Sequence, residues 1–589
     1  MGSISLSSFT RERGCTGENE SHDHHGQDGP DPNEMIADGR LKDFKYEEYH
    51  NGDIYEDQPS QYEQEWDINS ANMPYLSRLK TLQTAWPHLR HLRQWMEVTT
   101  SPDKWQLLKL LSPERLSNVR YERARRTNVA VLDFIPNKPA PSDQRIKSRD
   151  ELERHLDTPV AKDATRLYVV EDLSRDVIEL LGFKLDIDPL FFREHINDYT
   201  WYNTRDPWVE LPDLDFVSRS RPYFHLAYTQ PRYFKNEESY KKAIRQAGLF
   251  NVLRRLDVDL EHTSRFDKEE ATVALVRSKV SLWIRKATDD QPAIGVLLVD
   301  PSITEGYPLW RGYRPFMNSP KPSDPTSYPA APKTTLFEDL LFWMKQTSQE
   351  DINAIQTNPR AMAFRALQII CAEWLTLSRY ITARLGQIEW EIERPDFRIV
   401  KQDGKDTMNF NTSLQKLHTW RRRLPLFRDM VSETRKKLFP DEDPGTVPAD
   451  CIGQLRKDFG VVAGHINDLL SRTERIATVA TAVTAIEESR RAVEQNKALG
   501  RLTYLAVIFA PLSFVSSFFS MSENVASLSQ TIWIYFCVAV PISAIAFLLV
   551  DKNWTDNLRG AYRKTSDAKH KVSHHDNSHH NNGHRRVVG

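Results

Sequence analysis

The chain has 589 residues, 27% of them charged, with 79 Lys and Arg against 81 Asp and Glu, a formal net charge of −2. A balance this close to zero gives no bulk basis for nucleic-acid binding, which normally shows a basic excess. The cysteines, Cys15, Cys371, Cys451 and Cys537, are too far apart for a zinc module or a disulfide scaffold and suit a reducing, cytosol-facing body.

In chain order, residues 1–65 are acidic, contain histidine, and lack the apolar periodicity needed to bury a core, so they read as a disordered tail. No apolar leader core is visible near Met1. Residues 66–314 mix β-branched runs with helical ones. Asn128–Ile135, Arg166–Val170, Thr272–Val276, Val280–Ile284 and Ala293–Val299 read as strands, Asp176–Leu181 and Leu190–Ile196 as helices. Helices covering a sheet, an α/β domain, are the expectation. Residues 315–333 carry prolines at 315, 320, 322, 325, 329 and 332 and read as a linker.

Residues 334–501 are helical in pattern. From about Cys451 the apolar stripe Ile466, Leu469, Leu470, Ile476, Val479, Val483, Ile486 and Val493 runs on without proline into the next segment. One helix over 451–521 would be about 100 Å long at 1.5 Å per residue. Gly460, Gly464 and Gly500 weaken its continuity. A long helix apolar on one side needs partner helices, and identical chains around an axis, a coiled-coil stalk, would supply them.

Residues 502–550 hold two uncharged runs, Leu502–Ser522 and Asn524–Val550, separated by Glu523. Crossing about 30 Å of hydrocarbon takes roughly 20 helical residues. One mid-bilayer Lys or Asp would cost about 2.5–3.5 kcal/mol. Both runs are expected to be transmembrane helices, at 502–521 and 530–550. Arg490, Arg491, Lys497 and Arg501 precede the pair, and Lys552, Arg559, Arg563 and Lys564 follow it, which directs both termini to the cytosol. Residues 551–589 form a basic, His-rich tail read as disordered. The expected class is therefore an α+β integral membrane protein with a C-terminal two-helix hairpin.

On a helical wheel Asn496, Leu499, Thr503, Ala506, Ala510, Ser513, Ser517 and Ser520 gather on one side of the first run, with Leu505, Ile508, Leu512, Val515 and Phe519 on the other. A small, hydroxylated face serves either close helix packing or the wall of a water-filled pore. No P-loop, nucleophile elbow, HExxH or dinucleotide fingerprint occurs, so no enzyme chemistry and no organic cofactor are expected. His88 and His91 lack a third ligand and read as surface or core residues.

The order of long charged helix, a span containing Pro511-Leu512-Ser513-Phe514, short loop, second span and basic end resembles the CorA-type divalent-cation channels, particularly their fungal relatives. Arg166–Leu211 is similar to the cytosolic domain of that branch. The resemblance implies a homopentameric funnel with an axial pore that passes Mg2+ or a related divalent cation, in contact with lipid and with copies of itself. The family's stalk asparagine falls on Asn496, and its aromatic-Gly-Met-Asn filter falls on Phe519, Ser520, Met521 and Ser522, where serines replace the glycine and the asparagine. Pore-lining residues so implied are Asn496, Thr503, Ala510, Ser513, Ser517, Ser520, Met521 and Ser522. Regulatory divalent-ion carboxylates, by type and region, are Asp186, Asp188, Glu487 and Glu488. The altered filter leaves a second reading open, a membrane-anchored scaffold or divalent-cation sensor that keeps the architecture without conducting. A third is a two-pass enzyme whose α/β domain does the chemistry.

Overall fold

A computed structural model describes residues 68–100, 112–138, 141, 143–161, 163–197, 213–259, 270–289, 291–317, 321–323, 331–332, 335–393, 410–439, 451–520 and 528–550. Both tails, most of the proline-rich segment, Met521, Ser522 and the side chain of Glu487 lie outside them. The chain divides into two compact units, Met1–Ala477 and Thr478–Gly589.

The first unit begins with α1 (Pro74–Leu82), α2 (Arg90–Val98) and α3 (Pro113–Arg125), which lead into β1 (Val129–Phe134) and β2 (Asp143–Ile146). Next come α4 (Arg149–Leu156), β3 (Thr165–Glu171), α5 (Arg175–Leu185), α6 (Pro189–Ile196) and α7 (Asp215–Ser220). They are followed by β4 (Tyr223–Phe234), α8 (Glu237–Leu249), β5 (Leu256–Asp259), β6 (Thr272–Arg285), β7 (Ile294–Val299) and β8 (Tyr307–Pro308). Local chemistry starts the helices: the Ser148, Ser174 and Asp188 side chains accept from Glu151 N, Val177 N and Leu190 N, taking up N–H groups that have no partner inside the helix.

The strands form one sheet in the order β2-β1-β3-β7-β6-β4-β8. β3 and β7 pair in parallel and the other pairings are antiparallel. β7 is buried along its whole length, and β3 along all but its last residue. Covered on both faces, such strands read as continuous apolar runs. One face packs Val170, Val296 and Leu298 against α1, α2, α5 and α6, through Leu76, Leu92, Ile178 and Phe192. Gly182 of α5 is required there, because a Cβ would lie 2.7 Å from the ring of Tyr75.

The two runs read as separate strands at Thr272–Val276 and Val280–Ile284 form the single strand β6. β4 covers one of its edges from Thr272 to Trp283. The other edge is shared end to end, β5 beside Val273–Val276 and β7 beside Val280–Arg285. The polar residues Arg277, Ser278 and Lys279 lie at this junction, where Asp300 Oδ2 accepts from Lys279 N at 2.6 Å. β4 contains Pro231, whose carbonyl accepts from Leu309 N at 3.2 Å, on the β8 side. In a strand a residue's N–H and C=O point the same way, so the missing donor costs the β4–β6 ladder nothing.

Helices follow: α9 (Leu336–Met344), α10 (Gln349–Thr357), α11 (Phe364–Glu393), α12 (Phe410–Leu438) and α13 (Cys451–Ser520). α13 is unbroken over 70 residues. At Gly460, Gly464 and Gly500 nothing lies within 4 Å of where a Cβ would be, so these glycines mark no close approach. Within the first unit α13 buries Ile452, Leu455, Phe459, Val462, Ile466 and Leu469, and Arg472 pairs with Glu389 of α11 at 2.5 Å.

The second unit holds α13 from Thr478 onward and α14 (Leu528–Val550). Val515 and Ala539 are buried, and Tyr535 Oη donates to Leu512 O at 3.4 Å. Among the described residues no helix is long and apolar enough to cross a membrane.

Candidate pore-lining helix

From Thr478 to Ser520, α13 is rich in Val, Ile, Thr, Ser and Phe and yet runs as an unbroken helix. Its one proline, Pro511, leaves the Val507 carbonyl without its usual donor but does not end the helix. Asn496, Thr503, Ala510 and Ser517 recur every seventh residue. So do Leu499, Ala506, Ser513 and Ser520. A seven-residue repeat drifts only about 20° per repeat on a straight helix, so each set forms a nearly straight ladder.

All eight members of these ladders are exposed: Asn496, Leu499, Thr503, Ala506, Ala510, Ser513, Ser517 and Ser520. On the opposite face Leu505 is 50% exposed, Ile508 and Leu512 are half-buried and Val515 is buried. Thr503 Oγ1 donates to Leu499 O at 3.0 Å and Ser517 Oγ donates to Ser513 O at 2.9 Å. Each hydroxyl proton is thus taken by the helix itself, and the oxygen presents only lone pairs outward. Acceptors without a competing donor are what the hydrogens of a cation's bound waters need.

Of the carboxylates expected to sense divalent ions, Asp186 and Asp188 belong to the first unit and Glu487 and Glu488 to the second. Asp186 ends α5 in a left-handed conformation, φ 54°, and is exposed. Asp188 is committed to the N-terminus of α6, accepting from Leu190 N at 2.9 Å. Ile187 between them is buried, and its carbonyl accepts from Tyr75 Oη at 2.8 Å. Glu488 is exposed on α13 in the second unit, with Glu487 beside it in sequence. Among the described residues no group of three or more His, Cys, Asp or Glu side chains is arranged to hold a metal ion.

Two buried polar constellations in the first unit were not foreseen. In one, Arg314 donates to Glu373 at 2.6 Å and Asp339 at 2.7 Å, with its guanidinium 4.0 Å from the centre of the Trp310 ring. Burial raises the pKa of both carboxyls, and Arg314 opposes that rise. A cavity of about 30 Å³, room for about one water, opens beside them with Gln230 and Arg232 in its wall. The other constellation centres on Ser281. Their members come from elements far apart in the chain, so no spacing rule marks them. The only local sign is a lone charged or imidazole group inside an apolar run, as in LFFREHI and YFHLAY.

Residues 342–551 match the family model described as CorA-like Mg2+ transporter protein. No curated protein matches the chain. Among solved structures, the complete structure of the CorA magnesium transporter from Methanocaldococcus jannaschii aligns at 12% identity and a TM-score of 0.34, covering 72% of this chain and 96% of that one. The structure of the full-length CmaX protein aligns at 12% identity and a TM-score of 0.32, covering 72% and 97%.

Proposed function

We propose that this chain, whose residues 342–551 carry the pattern of the CorA-like Mg2+ transporter family, passes divalent cations, Mg2+ or a close relative, down their electrochemical gradient. The observation that carries the reading is the exposed ladder of Thr503, Ala510, Ser513, Ser517 and Ser520 on an unbroken helix inside the matched segment. Around the axis of a homopentamer, five such ladders would enclose a pore walled by small side chains and hydroxyl oxygens. Mg2+ releases water reluctantly and prefers octahedral oxygen at about 2.0–2.1 Å. Oxygen acceptors at the distance of its outer shell hold the hydrated ion without stripping it. One Mg2+ crossing 100 mV gains about 4.6 kcal/mol, twice the single-charge figure, so the reading needs no ATP site.

In this reading the membrane is crossed at 502–521 and 530–550, with both ends of the chain in the cytosol. The 23 residues of α14 include no Asp, Glu, Lys or Arg, and the uncharged run Leu502–Ser520 occupies the end of α13. Trp533, 73% exposed, suits a lipid-facing position. Ser520, Met521 and Ser522 take the place of the family's filter. Serine keeps an oxygen but is shorter than asparagine and has no amide, so a ring of five is wider and grips a hydrated ion less firmly.

That same substitution favours a second reading, a membrane-anchored scaffold or divalent-ion sensor that no longer conducts. Influx of Mg2+, Co2+ and Ni2+ into proteoliposomes, for the native protein and for a Ser520→Gly, Ser522→Asn double variant, separates the two. Flux through the native protein supports the channel, and flux through the variant alone supports the scaffold. Flux through neither refutes the pore in both forms.

A further inference from the structure

Five polar side chains of the first unit, four of them buried and Glu194 partly so, join end to end across β6. Ser281 is fully buried, and its Oγ lies 2.8 Å from His195 Nδ1 on α6 and 2.6 Å from His225 Nδ1 on β4. Beyond each ring stands a carboxylate: His195 Nε2 is 3.4 Å from Asp300 Oδ1, and His225 Nε2 is 3.0 Å from Glu194 Oε2. Both contacts are off the line of a hydrogen bond, and neither Nε2 has another hydrogen-bond partner. The run is therefore Asp300, His195, Ser281, His225, Glu194.

A proton inventory shows what is unusual about it. A hydroxyl has one proton to give, so Ser281 donates to one ring's Nδ1 and accepts from the other's. Two neutral rings joined in this way are opposite tautomers, one protonated at Nδ1 and the other at Nε2. One of the two nitrogens that lie beside a carboxylate then carries a bare lone pair next to an anion. That contact has a place for one more proton.

The surrounding charges decide what such a proton does. Asp300 accepts from Arg254 Nε at 2.6 Å and Nη2 at 2.9 Å, and from Lys279 N at 2.6 Å. Arg254 Nη2 also donates to His195 O at 2.6 Å, and Lys279 Nζ donates to Glu194 O at 2.6 Å and to Asn197 O. These two cations thus hold the C-terminal end of α6, where helix carbonyls lack partners and the dipole is negative. Glu194 pairs with Arg221 at 2.5 Å, and Arg221 with Asp213 at 2.7 Å. From α12, Lys437 donates to the His225 carbonyl at 3.4 Å and pairs with Glu433 at 2.6 Å. The Tyr223 ring lies 5.4 Å from that of His225. A proton added to either imidazole is attracted by the facing carboxylate, but Asp300 and Glu194 already pair with Arg254 and Arg221, and the new charge stands beside the like charges of Arg254, Lys279 or Lys437.

We propose that this chain of side chains is a proton-controlled lock on α6: with both imidazoles neutral it holds α6 against β4 and β6, and one added proton loosens the helix's C-terminal end. Burial keeps both rings neutral, pushing His225 down to about 4 and His195 well below the usual imidazole range. Burial opposes the charge on Glu194, but His225, Arg221 and Lys437 prevail and hold its carboxyl down to about 2. An imidazole lowered by folding is protonated first in the unfolded chain. Its contribution is whole above about 6.5 and is lost as the pH falls toward the folded value.

The test uses the full chain in detergent micelles, unfolded thermally between pH 7.5 and 4.5. His225→Gln should remove about one proton's worth of pH dependence, roughly a tenfold change in the folded-to-unfolded ratio per pH unit below 6.5. Equal slopes for the native protein and His225→Gln overturn the proposal. A second measurement on the native protein needs no variant to fold: amide hydrogen exchange at pH 5 and 7.5, corrected for the intrinsic rate. Protection over Pro189–Ile196 should fall more than tenfold relative to Thr165–Glu171, and parallel changes in the two segments overturn the lock.

Discussion

Replacing Arg314 by methionine removes the guanidinium that bonds both Glu373 and Asp339. All three side chains are at most 3% exposed, so water cannot replace it. At about 4 Å and an effective dielectric of about 20, each pairing is worth about 4 kcal/mol of Coulomb energy. Removing one partner of a buried pair costs about 3–5 kcal/mol. The two losses do not add, because an orphaned carboxyl can take up a proton, so the expected loss at pH 7 is about 3–5 kcal/mol. The pH dependence carries the sharper expectation. Burial already raises both carboxyl pKa values, and without Arg314 they rise further. Where the folded variant holds a proton that the unfolded chain has released, stability grows as pH falls, by about 1.4 kcal/mol per unit and group. Arg314→Met should therefore recover part of its loss at pH 5. Tryptophan fluorescence during denaturant unfolding at pH 7 and pH 5 reads this, since the Trp310 ring lies against the guanidinium. A loss under about 1 kcal/mol at pH 7, or one equally large at pH 5, refutes the reasoning.

Other predictions follow from single observations. Asn496→Ala, on the hydroxylated ladder, should change divalent-cation flux severalfold, whereas Leu505→Ala on the opposite face should change it little; equal effects count against the assigned pore face. Gly182→Ala forces a Cβ into the ring of Tyr75 and should destabilise the first unit by about 1–3 kcal/mol, read as a lowered denaturation midpoint. Burial pushes the Cys371 thiol up to about 12, so maleimide at pH 7.5 should leave it unmodified in the folded protein and modify it after denaturation, as mapped by mass spectrometry.

The long helix was legible because its apolar stripe runs on without a proline as far as Pro511, and α13 extends from Cys451 to Ser520 across that proline and three glycines. β1, β3 and β7 were legible as β-branched runs. β4 was not, because Pro231 and the polar residues around it argue against a strand until β8 is known to lie on the proline's side. The polar strand β2 was missed as well. The hydroxylated ladder could be read from period alone, since it belongs to one helix. The Ser281 chain could not, because residues 194, 195, 225, 281 and 300 meet only once the sheet has formed.

The most direct test of the account is Mg2+ influx into liposomes that hold the purified full chain, under an imposed inside-negative potential. The account predicts influx above that of empty vesicles, steepening as the potential is raised and reduced by Asn496→Ala. No influx through the native protein at any potential would contradict it, whether or not the Ser520→Gly, Ser522→Asn variant conducts.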